Sequence, residues 1–305
     1  VPLRKGAAAL GVILAFPVVL GGLALAAAVL DSRTRGTGWA GPLREAARLL
    51  GQRRRRTVAA DGLLVTAGVC ALLTAATLAG TAVLPLGERP LADLAVGVVW
   101  FNAMEVAVWA ALWLTGWGAN SFYPLVGGYR FLAQGLAYEL PHMFALITVA
   151  VGAGSLRVPE VVAAQRGLWF AVAMPVAFAV YLLSALAMAF WGPLGGPLGV
   201  DVAGGVRAEL SGPDLLIFQA GRYALLAVAA AAAVPFFLGG GAGPGLPAWA
   251  WTLVKALAVL ALLVWAGRRT AGLRMDRFTE ASWLVLIPAM LLQLLVTATV
   301  AVAAR

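Results

Sequence analysis

The chain has 305 residues, of which 62% are hydrophobic and 11% charged, with a formal net charge of +9 and a single cysteine. So small a charged share, beside roughly a quarter in water-soluble domains, excludes a soluble globular fold and points to an all-α, polytopic integral membrane protein. Cys70 alone cannot build a disulfide framework or a cysteine-held cluster, so a redox centre has to belong to a partner, and the basic surplus lies beside apolar runs, where it sets topology rather than binding nucleic acid.

Apolar windows long enough to cross a hydrocarbon layer of roughly 30 Å fall near 7–30, 61–85, 92–117, 132–153, 167–190, 214–238, 247–267 and 281–303. They predict one membrane domain over 1–305 with about eight spans. The first run follows Arg4 and Lys5 but exceeds the apolar core of a secretion signal, so it is expected to be a span. Residues 40–52 place Leu43, Ala46, Ala47 and Leu50 on one face and Arg44, Glu45 and Arg48 on another, which suits an amphipathic helix at the interface. The run "RRRR" at 53–56 reads as orienting charge in contact with anionic head groups.

Glu105, in "FNAMEVAVWA", is mid-span, where a charged carboxylate costs about 2.5–3.5 kcal/mol. It is either a neutral acid bonded to a neighbouring helix or a proton or ion carrier. The stretch "SFYPLVGGYRFLAQGLAYELPH" at 121–142 is a polar island that leads, through a loop ending at Arg130, into span four. Glu139 and Arg130 fall on a similar helix face, so Glu139 serves either a structural pair or a functional path. His142, the one histidine, cannot form a histidine metal pair and reads as an interfacial residue. No metal site is predicted.

Residues 191–213 form a Gly/Pro-rich loop that cannot hold a regular helix, and its Asp201 and Glu209 are either solvated surface or functional acids. "GGGAGPG" at 239–245 lacks the setting of a nucleotide fingerprint and reads as a turn. Lys255, inside span seven, is expected either to snorkel outward or, as the favoured reading, to pair with an intramembrane carboxylate. The loops after spans one, three, five and seven carry fourteen arginines, whereas the other side has Arg4, Lys5, Arg89, Arg157, Arg166 and Arg305. The first set is therefore expected in the cytoplasm of a cell whose plasma (inner) membrane holds the chain, with both termini outside.

Three segments carry a resemblance. "MEVAVWAALWLTGWGANSFYPLVGGYRFLAQGLAYELP" is similar to the third-to-fourth span region of the H subunit of NADH-quinone oxidoreductase, respiratory complex I, with Glu105, Arg130, Tyr138 and Glu139 on its pattern. "AGGVRAELSGPDLLIFQAGRY" places Glu209 on that family's loop glutamate, and "LVKALAVLALLVWAGRRTAGLRMDRF" keeps Lys255, Arg274 and Asp276. The resemblance implies an eight-span subunit that joins the membrane arm to the peripheral arm of a translocase and helps to shape a quinone chamber. It implies no cofactor held by this chain, quinone as substrate, NADH, flavin and iron–sulfur clusters in partner subunits, and contact with membrane lipid. Glu105, Glu139, Glu209 and Asp201 would couple electron transfer to proton movement, while Arg130, Tyr138, Arg274 and Asp276 would line the chamber or orient carboxylates. The chain departs from the family where its acidic loop should be, since Gly and Pro stand there with Asp201 as the last acid, and Arg222 replaces a glutamate. A membrane subunit of an ion-pumping hydrogenase, a non-catalytic scaffold paralogue and a stand-alone transporter are the alternatives.

Overall fold

The computed structural model describes residues 2–84 and 90–303, with side chains from residue 14 onward. The side chains of Arg4, Lys5, Arg89 and Arg305, on which the charge comparison drew, lie outside the described residues. In chain order the helices are α1 (Pro2–Thr34), α2 (Gly41–Gly51), α3 (Gly62–Val83), α4 (Gly97–Gly118), α5 (Phe122–Ala153), α6 (Val158–Ala164), α7 (Phe170–Ala173), α8 (Pro175–Met188), α9 (Gly212–Phe237), α10 (Ala248–Arg269), α11 (Met275–Ala281) and α12 (Ile287–Ala303). No strand occurs among the described residues, and the chain is an all-α, multi-pass membrane protein.

Among the described residues seven helices are long and apolar enough to cross a membrane: α1, α3, α4, α5, α9, α10 and the continuous α11–α12 unit, whose halves meet in a wider π turn at Ser282–Leu286. The window at 167–190 is not one helix. Pro175 has no N–H to give and pushes Met174 off the helical backbone, to φ −132° and ψ 61°, so the segment divides into α7 and the apolar α8. Conversely, α5 starts ten residues before its predicted span, so the stretch 122–130 is helix and not a loop.

α9 sits at the centre, and every residue from Ala224 to Phe237 is buried. Its alanines present so little bulk that α1, α3, α8 and α10 all pack against it, the small-residue packing expected where no hydrophobic force separates helix from lipid. α3 and α4 approach as closely. A Cβ on Gly68 would lie 2.6 Å from the Ala111 carbonyl oxygen. α3 is started by Asp61, whose carboxylate accepts from the N–H groups of Leu63 and Leu64.

The segment 191–210 contains no α-helix and instead makes four short 3-10 turns, Gly192–Leu194, Gly196–Leu198, Val200–Val202 and Gly205–Arg207. It lies flat on α5 because Gly127 has no side chain: a Cβ there would collide with the Val206 backbone nitrogen. α2 pairs Arg48 with Glu45 at 2.7 Å, and Glu45 borders the space between α2 and the bundle. It buries Leu49 against the bundle and leaves Leu43 and Leu50 outward. Two of the four arginines expected to meet head groups are ion-paired within the chain, Arg54 at 2.8 Å and Arg56 at 3.7 Å from Asp214 in the first turn of α9.

Lys255 departs from expectation. Its ammonium group faces no carboxylate among the described residues and donates to the carbonyl oxygens of Leu238, Gly240 and Ala242 at 2.7, 2.9 and 2.8 Å. The chain turns sharply after α9 through Gly239 and Gly240, both at positive φ, which leaves carbonyls pointing inward, and one cation gathers them. Lys255→Met is therefore expected to destabilise the fold by about 1–3 kcal/mol through the orphaned acceptors, read as a lower unfolding temperature of the purified protein in detergent.

Candidate functional site

The predicted site residues fall into two groups and an outlier. The first group is buried between α4 and α5. Glu105 and His142 are each 1% exposed, and Glu105 Oε1 lies 3.0 Å from His142 Nε2. That separation is within hydrogen-bond length, although the angles are not those of a hydrogen bond, so both residues keep unsatisfied polar atoms. His142 is thus a partner of Glu105 inside the bundle and not an interfacial residue. Phe101 and Tyr181 enclose its ring, with centroids 6.2 and 5.3 Å away.

Glu139 stands one turn before His142 on α5, and one of its oxygens accepts from Asn102 Nδ2 at 3.1 Å, while Oε2 is buried without a hydrogen-bond partner among the described residues. Asn102 precedes Glu105 by three residues and shares its face of α4. Tyr138 is buried alongside, its hydroxyl 3.4 Å from Trp109 Nε1. Two carboxylates and an imidazole, carried on two adjacent helices, make a set of buried groups that can take and give protons.

The second group sits at the 191–210 turns. Arg130 does not pair with Glu139. It reaches the opposite way, to Asp201, with bonds of 3.0 and 2.5 Å that form a bidentate fork, and also donates to the Gly196 carbonyl. The Arg130 guanidinium holds the Asp201 carboxyl below the ordinary aspartate value of 3.8. A depressed carboxyl contributes its tie above the unfolded-state value and loses it only as pH falls through the lower folded value, so the turns stay fastened to α5 at neutral pH. Arg274 and Asp276 pair with each other at 2.9 Å on the exposed α10–α11 connection.

Glu209 stands apart from both groups. Ser121, the residue before α5, gives its hydroxyl to Glu209 Oε1 at 2.9 Å instead of capping its own helix. Among the described residues no group of three His, Cys, Asp or Glu side chains could hold a metal ion.

A further group centres on Asp31, which the sequence patterns do not single out. Near the end of α1, Asp31 is 1% exposed and accepts from Tyr223 Oη at 2.9 Å, from Arg35 at 2.7 Å and from Arg268. This knot closes the polar end of a cavity of about 740 Å3 between α1, α2, α3 and α9. Leu20, Ala24, Leu25, Ala28, Leu73 and Leu216 make its long apolar flank, and Ser32, Arg35, Arg207 and Tyr223 surround its head. The one signal is "LDSRTR", where an acid closes an apolar run, but nothing in its spacing names Tyr223 or Arg268 as partners.

Comparison with known proteins agrees with this architecture. Residues 27–298 match the NADH dehydrogenase family model. The H subunit 2 of NADH-quinone oxidoreductase from Geobacter sulfurreducens is 38% identical over 266 residues, covering 84% of this chain and 81% of that protein. The H subunit 1 from Geobacter metallireducens is 36% identical with the same coverage, 84% and 81%. The H subunit 2 from Cereibacter sphaeroides is 37% identical over 229 residues, or 74% of this chain and 72% of that one. The chain belongs to the NADH dehydrogenase family of membrane proteins, within its group of NADH-quinone oxidoreductase H subunits.

Proposed function

We propose that this subunit walls the quinone chamber of a complex-I-like oxidoreductase and passes the effect of quinone reduction, carried out with partner subunits, into proton movement through its buried carboxylates. The observation that carries the reading is the cavity of about 740 Å3 on α1, α2, α3 and α9. A quinone has an apolar isoprenoid tail and a flat head with two carbonyl oxygens. The cavity's aliphatic flank suits the first, and the guanidinium groups of Arg35 and Arg207 at its head supply donors for the second. Glu105, His142 and Glu139 then form the buried relay, with Glu209, Asp201 and Arg130 at the loop side and Arg274–Asp276 facing the partners that deliver electrons from NADH through flavin and iron–sulfur clusters.

In this reading α7 and α8 together make an eighth crossing, since the segment from Phe170 to Met188 spans about 28 Å even across the break. The arginine-rich connections face the cytoplasm, where the peripheral arm docks, and the other ends face outward.

The test is to block the cavity. Ala24→Trp fills its apolar flank without touching the carboxylates. The assembled enzyme is expected to keep NADH-driven reduction of a water-soluble artificial acceptor while quinone reduction falls on the order of ten-fold, with a raised KM. Quinone kinetics equal to those of the natural enzyme would remove the cavity from the reaction.

A further inference from the structure

A second cavity, of about 630 Å3, opens between α5, the 191–201 turns and the α10–α11 connection. Six arginines line it: Arg35, Arg130, Arg207, Arg222, Arg268 and Arg274. Four of them are matched by carboxylates, Arg130 by Asp201, Arg274 by Asp276, and Arg35 with Arg268 by the shared Asp31. Arg207 and Arg222 have no carboxylate partner among the described residues. Six cations therefore converge on three acids, in a region partly withdrawn from water.

Arg222 is the more telling of the two. It sits on α9, where its guanidinium lies 4.3 Å over the Trp191 ring and donates to the Phe190 carbonyl at 3.0 Å. Its Nε is buried with no acceptor among the described residues. Arg207 lies in the last of the four turns, where burial and the like charge of Arg35 hold its guanidinium below the ordinary arginine value. An uncompensated cation in such a place is costly, and the same two groups become favourable once an anion arrives. A single carboxylate brings one charge and two coplanar oxygens. A phosphate brings up to two charges and several oxygens in three dimensions, which matches two unpaired guanidinium forks.

We propose that this cavity is an anion site for a phosphate group, held chiefly by Arg207 and Arg222. The chemistry is shared by two sources, the head group of an anionic phospholipid and a free phosphate-bearing molecule. The cavity opens where α10 ends at Arg268 and Arg269, and basic pockets between membrane helices are a recurrent setting for phospholipid head groups. The site shares Arg35 and Arg207 with the apolar cavity, whereas Arg222 lines this cavity alone, so Arg222 is the residue that separates this site from the quinone reading.

The experiment uses the full chain purified with its native partners. Its unfolding temperature is followed while inorganic phosphate is titrated at constant ionic strength against sodium chloride, and retained phospholipid is identified by native mass spectrometry. Saturable stabilisation by phosphate and not by chloride is expected, and Arg222→Gln or Arg207→Gln should each weaken it about ten-fold or more. An anionic phospholipid that survives purification, is displaced by phosphate and is lost in Arg222→Gln identifies the lipid as the source. The same phosphate response without a retained lipid identifies a free ligand. The proposal is overturned if the natural protein shows neither effect, if Arg222→Gln responds to phosphate like the natural protein, or if an acidic segment of a partner fills the cavity in the assembled enzyme. Quinone KM, read on the same Arg222→Gln preparation, keeps failure of this site distinct from failure of the chamber.

Discussion

Glu105→Gln and His142→Gln are each expected to lower coupled proton movement about ten- to hundred-fold in vesicles carrying the assembled enzyme, with the subunit still inserted and bound to its partners. Both substitutions preserve much of the volume and the hydrogen-bonding capacity, so the tight packing around Phe101 and Tyr181 survives. What each removes is the ability to hold and release a proton at a contact of 3.0 Å between two helices. If the two residues act as one unit, the double variant loses no more than either single one, because the path is already cut. Losses that multiply would mean two separate roles. Proton movement equal to that of the natural enzyme in both single variants would exclude the pair from the path and leave it a structural tie between α4 and α5. Glu139→Gln supplies the next point on the same line, since Glu139 meets α4 through Asn102 and not through Glu105 directly.

The membrane class and most of the helices are legible in the sequence because the hydrocarbon layer imposes a length and a near-absence of charge that show in any window. The failures have local causes. The interruption at Met174 and Pro175 is written in the sequence, but the apolar run continues through it, and hydropathy does not register a lost N–H donor. The early start of α5 is hidden by Gly127 and Gly128, which read as a loop and are in fact where the chain packs closely, Gly127 beneath the 191–210 turns and Gly128 against α4. His142 is visible at i+3 from Glu139, yet its partner Glu105 is 37 positions away on another helix, and only packing could join them. Arg130 pairs with the distant Asp201 and not with Glu139 on its own helix, because the turns carry Asp201 to the N-terminal part of α5 while Glu139 faces α4. The resemblance to a known family locates Glu105, Glu139 and Glu209 but is silent on Asp31, whose importance comes from what converges on it.

The largest effect on stability is expected from the double substitution Arg35→Gln with Arg268→Gln, and its size follows from an asymmetry of burial. Asp31 is 1% exposed, whereas the Arg35 and Arg268 side chains are 46% and 35% exposed. Asp31→Asn leaves two arginines that can turn toward water, so the loss is that of charge-assisted hydrogen bonds, about 1–3 kcal/mol. Removing both arginines strands a carboxylate that cannot reach water and keeps only the Tyr223 hydroxyl, a change of about 3–5 kcal/mol. Adding Asp31→Asn to the double variant should then restore stability, since a neutral amide needs no counter-charge, and that recovery is the signature of the mechanism. Thermal unfolding of the purified protein in detergent reads all three steps. A larger loss from Asp31→Asn than from the two arginines, or a triple variant no better than the double, would mean that the arginines depend on the acid and not the reverse. The same ordering bears on the proposed function, because Asp31 ties α1 to α9 through Tyr223 and to α10 through Arg268 at the head of the cavity proposed for quinone. The double variant removes the Arg35 donor and loosens the knot beside Arg207, so quinone KM should rise, and in the triple it should recover, with stability, only to the extent that Arg207 alone can serve the head.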